Sequence, residues 1–275
     1  MAFSTVEKVG GRTFELLDQI GDFFVFVGRT LMWLFMSGLR PKSLRLLLPQ
    51  AYEIGVRSVP VVGIVGAFIG MVMAVETYSQ FAALGQEIRL GSVINLSVVK
   101  QIGPVLAAVM LAGRVGGGLA AELGTMNVTE QLDALRVMGS DPIQYLVVPR
   151  FVACVLLTPI LTAYSDALGI FGGWLIAVPF FHIPNKDYWY YSSHGGVDTW
   201  QVMEGIIKGF FFGGAIGLIS CYKGFHSGSG ASGVGRACTE SFVMSFIAII
   251  VLNFIFADIS KEMYHALYGI QSMFS

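Results

Sequence analysis

Charge is what this sequence has least of. Only 13% of its 275 residues are Asp, Glu, Lys or Arg, against roughly 25% in a soluble domain, which needs them to wet its surface. With 55% hydrophobic residues, the chain has too little polar surface to cover a globule in water, so lipid must be part of its solvent. No GxxxxGK[ST] occurs, so the chain has no P-loop with which to hydrolyse ATP itself. Neither HExxH nor GxSxG occurs, which removes two common hydrolase signatures. The three cysteines, Cys154, Cys221 and Cys238, are odd in number and lack CxxC or Cys/His ligand spacing, so they read as free thiols. No metal site and no cofactor is expected. A net charge of −1 gives no basic field for nucleic acid. Gly228, Gly230 and Gly233 make a formal GxGxxG in the stretch His226–Arg236. That pattern needs a preceding strand inside a βαβ unit, and this stretch joins two apolar segments. The sequons at Asn95 and Asn127 are short enough to arise by chance.

What the sequence has is long apolar runs. A helix needs around 20 apolar residues to cross about 30 Å of hydrocarbon. Five segments qualify, at about 58–83, 98–121, 150–180, 202–222 and 241–267. The earlier stretch Phe23–Met36 is 14 residues long and interrupted by Arg29. It reads as a helix in the membrane interface, with Trp33 as its anchor. Before it, residues 1–20 mix Glu7, Lys8, Arg12, Glu15 and Asp18 with apolar residues, as a cytoplasmic amphipathic helix would and a cleaved signal would not. The expectation is therefore an all-α integral membrane protein, with an interfacial segment over 1–50 and a five-span domain over 51–275.

Basic residues orient the spans. Arg40, Lys42, Arg45 and Arg57 precede the first span, Arg114, Arg136 and Arg150 surround the second connection, and Lys223 and Arg236 flank the fourth. The alternate connections hold only Arg89 and Lys186. The N-terminus is expected in the cytoplasm and the C-terminus outside, with the aromatics of Phe180–Trp200 (Tyr188, Trp189, Tyr190, Tyr191, Trp200) forming an outer belt. Gly66/Gly70, Gly113/Gly117, Gly169/Gly173 and Gly209/Gly213/Gly217 have the spacing that lets helix backbones approach closely. Some matches among 34 glycines are chance.

The segment Glu122–Arg150 carries the most information. Asn127 followed by Glu130 suggests a capping box, and Val128, Leu132 and Leu135 fall on one helical face, with Glu130, Asp133 and Arg136 elsewhere. Gly139 stops the helix and Asp141-Pro142 turns the chain out. Nothing obvious in the sequence covers the apolar face of this helix. A docking element for a cytoplasmic partner and a helix lying on the bilayer fit the pattern equally.

Residues in this region and beyond it resemble the MlaE/YrbE family, the permeases associated with MCE-domain proteins. They are Gly70-Met71-Val72, Gly103-Pro104-Val105, Ala112-Gly113-Arg114, Ala121-Glu122-Leu123-Gly124, Thr129 to Leu135, Asp141-Pro142, Pro149-Arg150-Phe151, Gly169 to Gly173 and Gly233 to Ala237. They stand in family order over Gly63–Ala257. The resemblance implies a homodimeric permease of the bacterial inner membrane, with phospholipid between the copies and an MCE-domain partner outside. It also implies a cytoplasmic ABC ATPase gripping a coupling helix at about 128–138. Asn127, Glu130, Leu132, Asp133, Leu135, Arg136 and Asp141 are the expected coupling residues.

The resemblance places Lys100 and Gln101 at the lipid pocket, where the family often has a basic–acidic pair. Gln101 departs from that pattern, so Glu76 is a candidate partner for Lys100, which otherwise snorkels to headgroups. Tyr78 and Phe81, on the facing stretch of the first span, suit acyl-chain contact and interfacial anchoring alike. Asp166, near the middle of the third span, is expected to be satisfied by Thr162, Tyr164 or Ser165, or held protonated. Arg114 and Glu122 are eight residues apart, too far for a direct contact on one helix. Two other classes compete. An ion-gradient-driven secondary transporter needs clustered intramembrane acids, and only Glu76 and Asp166 are candidates. A membrane-embedded lipid-modifying enzyme needs a nucleophile or metal constellation, and none is recognisable.

Overall fold

The structure is a computed structural model and describes residues 2–37, 41–194 and 199–268. Among the described residues every regular element is helical, so the all-α membrane class holds. The helices are α1 (Ala2–Ser37), α2 (Pro41–Ile54), α3 (Val59–Ala83), α4 (Leu90–Ser97), α5 (Gly103–Leu111), α6 (Gly117–Val128), α7 (Gln131–Val137), α8 (Val148–Ala177), α9 (Asn185–His194), α10 (Thr199–Phe225) and α11 (Gly230–Tyr268). Three π-helical turns, Val98–Ile102, Ala112–Gly116 and Ile143–Val147, join α4 to α5, α5 to α6, and lead into α8. Arg40 of the expected basic cluster, the side chains of Lys42, Glu7, Lys8, Arg12 and Glu15, and positions 195–198 of the aromatic stretch lie outside the described residues.

Six stretches are long and apolar enough to cross a membrane. Three contain expected spans whole, and two more overlap the spans expected at 150–180 and 241–267 but end at Ala177 and Tyr264. The sixth, Leu17–Met36, lies in α1 and is 20 residues long, because the helix carries the apolar stretch back past Asp22 to Leu17. Length therefore no longer separates α1 from a span, but its contacts do. The Tyr222 hydroxyl donates to the Gln19 carbonyl. Phe23 and Phe26 pack edge-on against Tyr222, and Trp33 Nε1 donates to Asp141 at 2.8 Å. Gln19 to Trp33 is about 21 Å of helix at 1.5 Å per residue. All these partners sit at one end of the bundle, where α8 begins and α10 finishes. So α1 runs across that end rather than alongside the spans.

Packing centres on α8. Over an apolar 18-residue portion, 67% of residues are buried in the α8 stretch against 11% in α1 and α11, so α8 is the helix the others surround. Glycines set the approach on both sides. A Cβ on Gly70 would strike the carbonyl of Gly169, and one on Gly66 would meet the Ser165 carbonyl at 2.5 Å. Gly209, Gly213 and Gly217 of α10 lie against Pro159, Thr158 and Cys154. Small residues are what let apolar helices pack tightly in lipid, where burial alone gives no advantage. The Gly113/Gly117 match is different: a Cβ on Gly117 would meet nothing within 4 Å.

Prolines mark where the helices change pitch. Pro60, Pro104 and Pro149 each stand in the first turn of α3, α5 and α8, directly after a 3-10 or π turn. Proline has no N–H to offer the preceding turn and its φ suits a helix start, so irregular backbone precedes it. At the other end of the bundle, Tyr188 of α9 corrects the aromatic-belt reading. It is fully buried and its hydroxyl donates to the Ile170 carbonyl, while Gly91 lets its backbone approach. Trp189 and Tyr190 remain exposed. Asn95 is buried and its amide donates to the Ser192 carbonyl, which gives that sequon a structural role.

Gly70→Ala is expected to destabilise the bundle by about 1–3 kcal/mol or more, as overpacking does, whereas Gly117→Ala should be neutral. Thermal unfolding of both variants in detergent checks the contrast.

Candidate functional site

Pro104 has consequences beyond its own turn. In a regular helix the N–H of residue 104 would bond the carbonyl of Lys100, and proline cannot supply it. Lys208 of α10 does so instead: its Nζ donates to the Lys100 carbonyl at 3.1 Å and to Gln101 Oε1 at 3.1 Å. The third ammonium proton meets Glu204 Oε1 at 2.6 Å. Glu204 Oε2 accepts from the Ser260 hydroxyl at 2.6 Å, and Trp200 Nε1 donates to that same hydroxyl. Lys208 is wholly buried, and all its donors are used. This knot ties α10 to the first π turn and to α11.

The knot changes the reading of the expected pocket residues. Gln101 is engaged by Lys208. The Lys100 side chain is exposed and, among the described residues, forms no ion pair with Glu76 or any other acid, which corrects the suggested partnership. Tyr78 stacks on Phe181 with ring centroids 3.8 Å apart, so it faces the cluster that its own chain builds around Tyr188. Glu76 is exposed and Phe81 half-buried. An apolar groove of about 460 Å³ does open nearby, between Ile64, Phe68, Val72 and Met73 of α3 and Ile102 and Leu106. None of the five expected pocket residues lines it.

The charges singled out from the sequence are Glu76, Lys100, Asp166, Arg114 and Glu122, and the paired Glu204 and Lys208 were missed. Their spacing of four residues in an apolar run is the signal that finds them, because two charges one turn apart can neutralise each other inside a span. Asp166 is buried and sits against Gly103, and its Oδ1 has no hydrogen-bond partner. The expected neighbours do not supply one there: the Thr162 hydroxyl donates to the Pro159 carbonyl, and Ser165 Oγ is itself unpartnered.

At the opposite end the short helix between the second and third spans is α7, and it differs from expectation in two ways. There is no capping box. Asn127 lies in the last turn of α6 and donates to the Ser227 carbonyl at 3.2 Å. Glu130 takes a left-handed backbone with φ 59° and makes no side-chain cap. The chain reverses between two helices here, and a single αL residue turns it more sharply than an extended N-cap would. Nor is the apolar face bare. Leu132 is 2% exposed and packs with Phe26, Ile143, Leu146 and Val147, with Leu135, Phe23 and Trp33 around them. Asp141 holds this arrangement by accepting from Trp33 Nε1 and from the Ile143 N–H. Gly139 ends α7 as expected. With φ 74°, it lets its own N–H reach the Arg136 carbonyl and that of Ser140 reach Leu135, a Schellman closure.

What α7 leaves to solvent is its far side. Val137 is 88% and Met138 70% exposed, and Asp133 and Arg136 form an exposed pair beside them. Behind α7, buried Arg150 donates to the Leu146 carbonyl of the third π turn and to Glu122 at 2.6 Å. Arg114 donates to the Ser58 hydroxyl at 2.6 Å. Arg114 and Glu122 thus find different partners, as their spacing requires.

Apolar spans around α8, an internal ion pair and a short helix presented at one end define a multi-pass α-helical membrane protein. Residues 47–259 match the family model described as Permease MlaE, and the chain belongs to the MlaE permease family. It is 37% identical over 259 residues to a probable ABC transporter permease protein of Rickettsia felis, covering 94% of this chain and 98% of that one. A probable ABC transporter permease protein of Synechocystis is 41% identical over 207 residues, 75% and 78% of the two chains. The intermembrane phospholipid transport system permease protein MlaE of Haemophilus influenzae is 32% identical over 245 residues, 88% and 94% of the two chains.

Lys208→Met is expected to cost about 3–5 kcal/mol, because it strands a buried carboxylate and a carbonyl. Adding Glu204→Leu should recover part of the loss. Unfolding of the single and double variants in detergent measures the difference.

Proposed function

We propose that this chain is the permease subunit of an ABC-type phospholipid transporter of the bacterial inner membrane. The observation that carries the reading is its similarity, across 88% of its length, to a permease named for intermembrane phospholipid transport. ATP is hydrolysed by a separate cytoplasmic ABC subunit. Two copies of the chain form the transporter with phospholipid between them, and an MCE-domain protein receives or delivers lipid on the outer side. The N-terminus is cytoplasmic and the C-terminus periplasmic. Residues 1–50 form an interfacial segment and residues 51–275 a five-span unit. That α1 makes its contacts at one end of the bundle supports its assignment to the interface.

The coupling residues divide by what they touch. Asn127, Leu132, Leu135 and Asp141 fasten α7 to its own chain, while Glu130, Asp133 and Arg136, with Val137 and Met138, face the ATPase. Movement of that end shifts the dimer between states that expose lipid to different exits. Glu76, Tyr78, Phe81, Lys100 and Gln101 stand at the outer ends of α3 and of the first π turn and border the lipid pocket. The apolar groove over Phe68 and Val72 is the surface for acyl chains.

Val137→Asp combined with Met138→Asp is expected to weaken ATPase co-purification about tenfold or more, a loss of about 1.4 kcal/mol, with permease yield unchanged. Leu132→Asp should instead lower the yield itself, because it buries a charge against Phe26. Full ATPase retention by the double variant would overturn the coupling assignment. Native mass spectrometry of the gently purified complex reads the partners and the lipid class.

A further inference from the structure

A second cleft lies at the α7 end of the bundle, away from the outer pocket. It encloses about 480 Å³ between α2, Arg57 and the inner half of the α5–α6 run. Its charges do not cancel. Arg57 pairs with Glu53 at 2.8 Å, and Glu122 is taken by Arg150 at 2.6 Å from behind. Arg114 has the Ser58 hydroxyl and, among the described residues, no carboxylate partner. The cleft therefore carries one uncompensated guanidinium, half-buried and with donors to spare. A cation so placed in a membrane protein pairs with something or lines a path for a charged solute. The rest of the lining is mixed. Ile54 and Leu119 make a rigid apolar wall and both are buried in the core, while the carboxylates of Glu53 and Glu122 stand at the rim.

We propose that this cleft binds the headgroup of a zwitterionic phospholipid from the leaflet at the α7 end, a lipid site separate from the outer pocket. Arg114 takes the phosphate, since a guanidinium suits phosphate oxygens and is still free on all but one of its edges. Glu53 and Glu122 accept from the headgroup amine and repel polyanionic headgroups. The acyl chains leave along the apolar wall into the bilayer. The inference rests on the lipid-transport reading for its meaning but not for its test, which uses the purified chain without ATPase or MCE partner. Failure of ATP-driven transport and failure of this site are therefore separate results.

The test is photolabelling in nanodiscs that contain a phosphatidylethanolamine with a diazirine in its acyl chain, followed by peptide mapping. Label is expected on the α2 and 112–122 peptides. In Arg114→Gln it should fall about tenfold, the scale of one lost charge-assisted hydrogen bond, while label on α3 around Phe68 stays constant. Gly118→Phe is the second variant. Gly118 lines the cleft, and a Cβ there meets nothing within 4 Å, so the bulk enters open space and should block labelling without disturbing the fold. Millimolar inorganic phosphate should leave the label in place. Displacement by phosphate would mean a free-anion site and overturn the proposal. So would label in the cleft that both variants leave unchanged, or no label there in the wild type.

Discussion

Inside hydrocarbon every backbone carbonyl needs a partner from within the protein, and this chain breaks that supply at its own prolines. Pro104 leaves the carbonyl of Lys100 without its helical donor, and the gap is closed from another helix by Lys208. An ammonium brought so deep needs a counter-charge, so Glu204 sits one turn away. Glu204 in turn needs its second oxygen satisfied, and Ser260 of α11 donates to it. A single missing N–H thus draws three helices together. At the third π turn a buried cation also meets a main-chain carbonyl: Arg150 donates to that of Leu146 and is neutralised by Glu122. Polar side chains at both ends of the bundle serve the backbone as well as each other.

This division of labour separates what holds the fold from what is left for partners. The buried cations are spent on carbonyls and carboxylates of their own chain. Among the described residues, Lys100 and Arg114, which has only the Ser58 hydroxyl, lack a carboxylate partner, and the tip of α7 is exposed. Between these, α8 and its glycine contacts give a rigid spine.

Much of this was legible in the sequence. Apolar length locates five of the six stretches long enough to cross the membrane, since the physics of crossing hydrocarbon depends on little else. The GxxxG pairs Gly66/Gly70 and Gly209/Gly213/Gly217 point to real helix contacts. The Schellman glycine at 139 was legible because a left-handed residue is a local requirement. What escaped was non-local. The spacing of Glu204 and Lys208 marks them as a pair, but the carbonyl that Lys208 serves is visible only once Pro104 is known to lie opposite. The apolar face of α7 looked bare because Phe26 and Trp33 lie about a hundred residues earlier in the chain. The capping box failed for a related reason: Asn127 had a better partner in Ser227, a hundred residues away.

The seat of α1 has a consequence for how the molecule is made. Gln19 meets a residue 203 positions further along and Trp33 one 108 positions further. When α1 leaves the ribosome, neither Asp141 nor Tyr222 exists yet. Its apolar side has no partner in the chain until then, and loop closure over such separations is slow. A helix made before its partners cannot take its seat until they are made, so the end of the bundle that α1 crosses is closed only late.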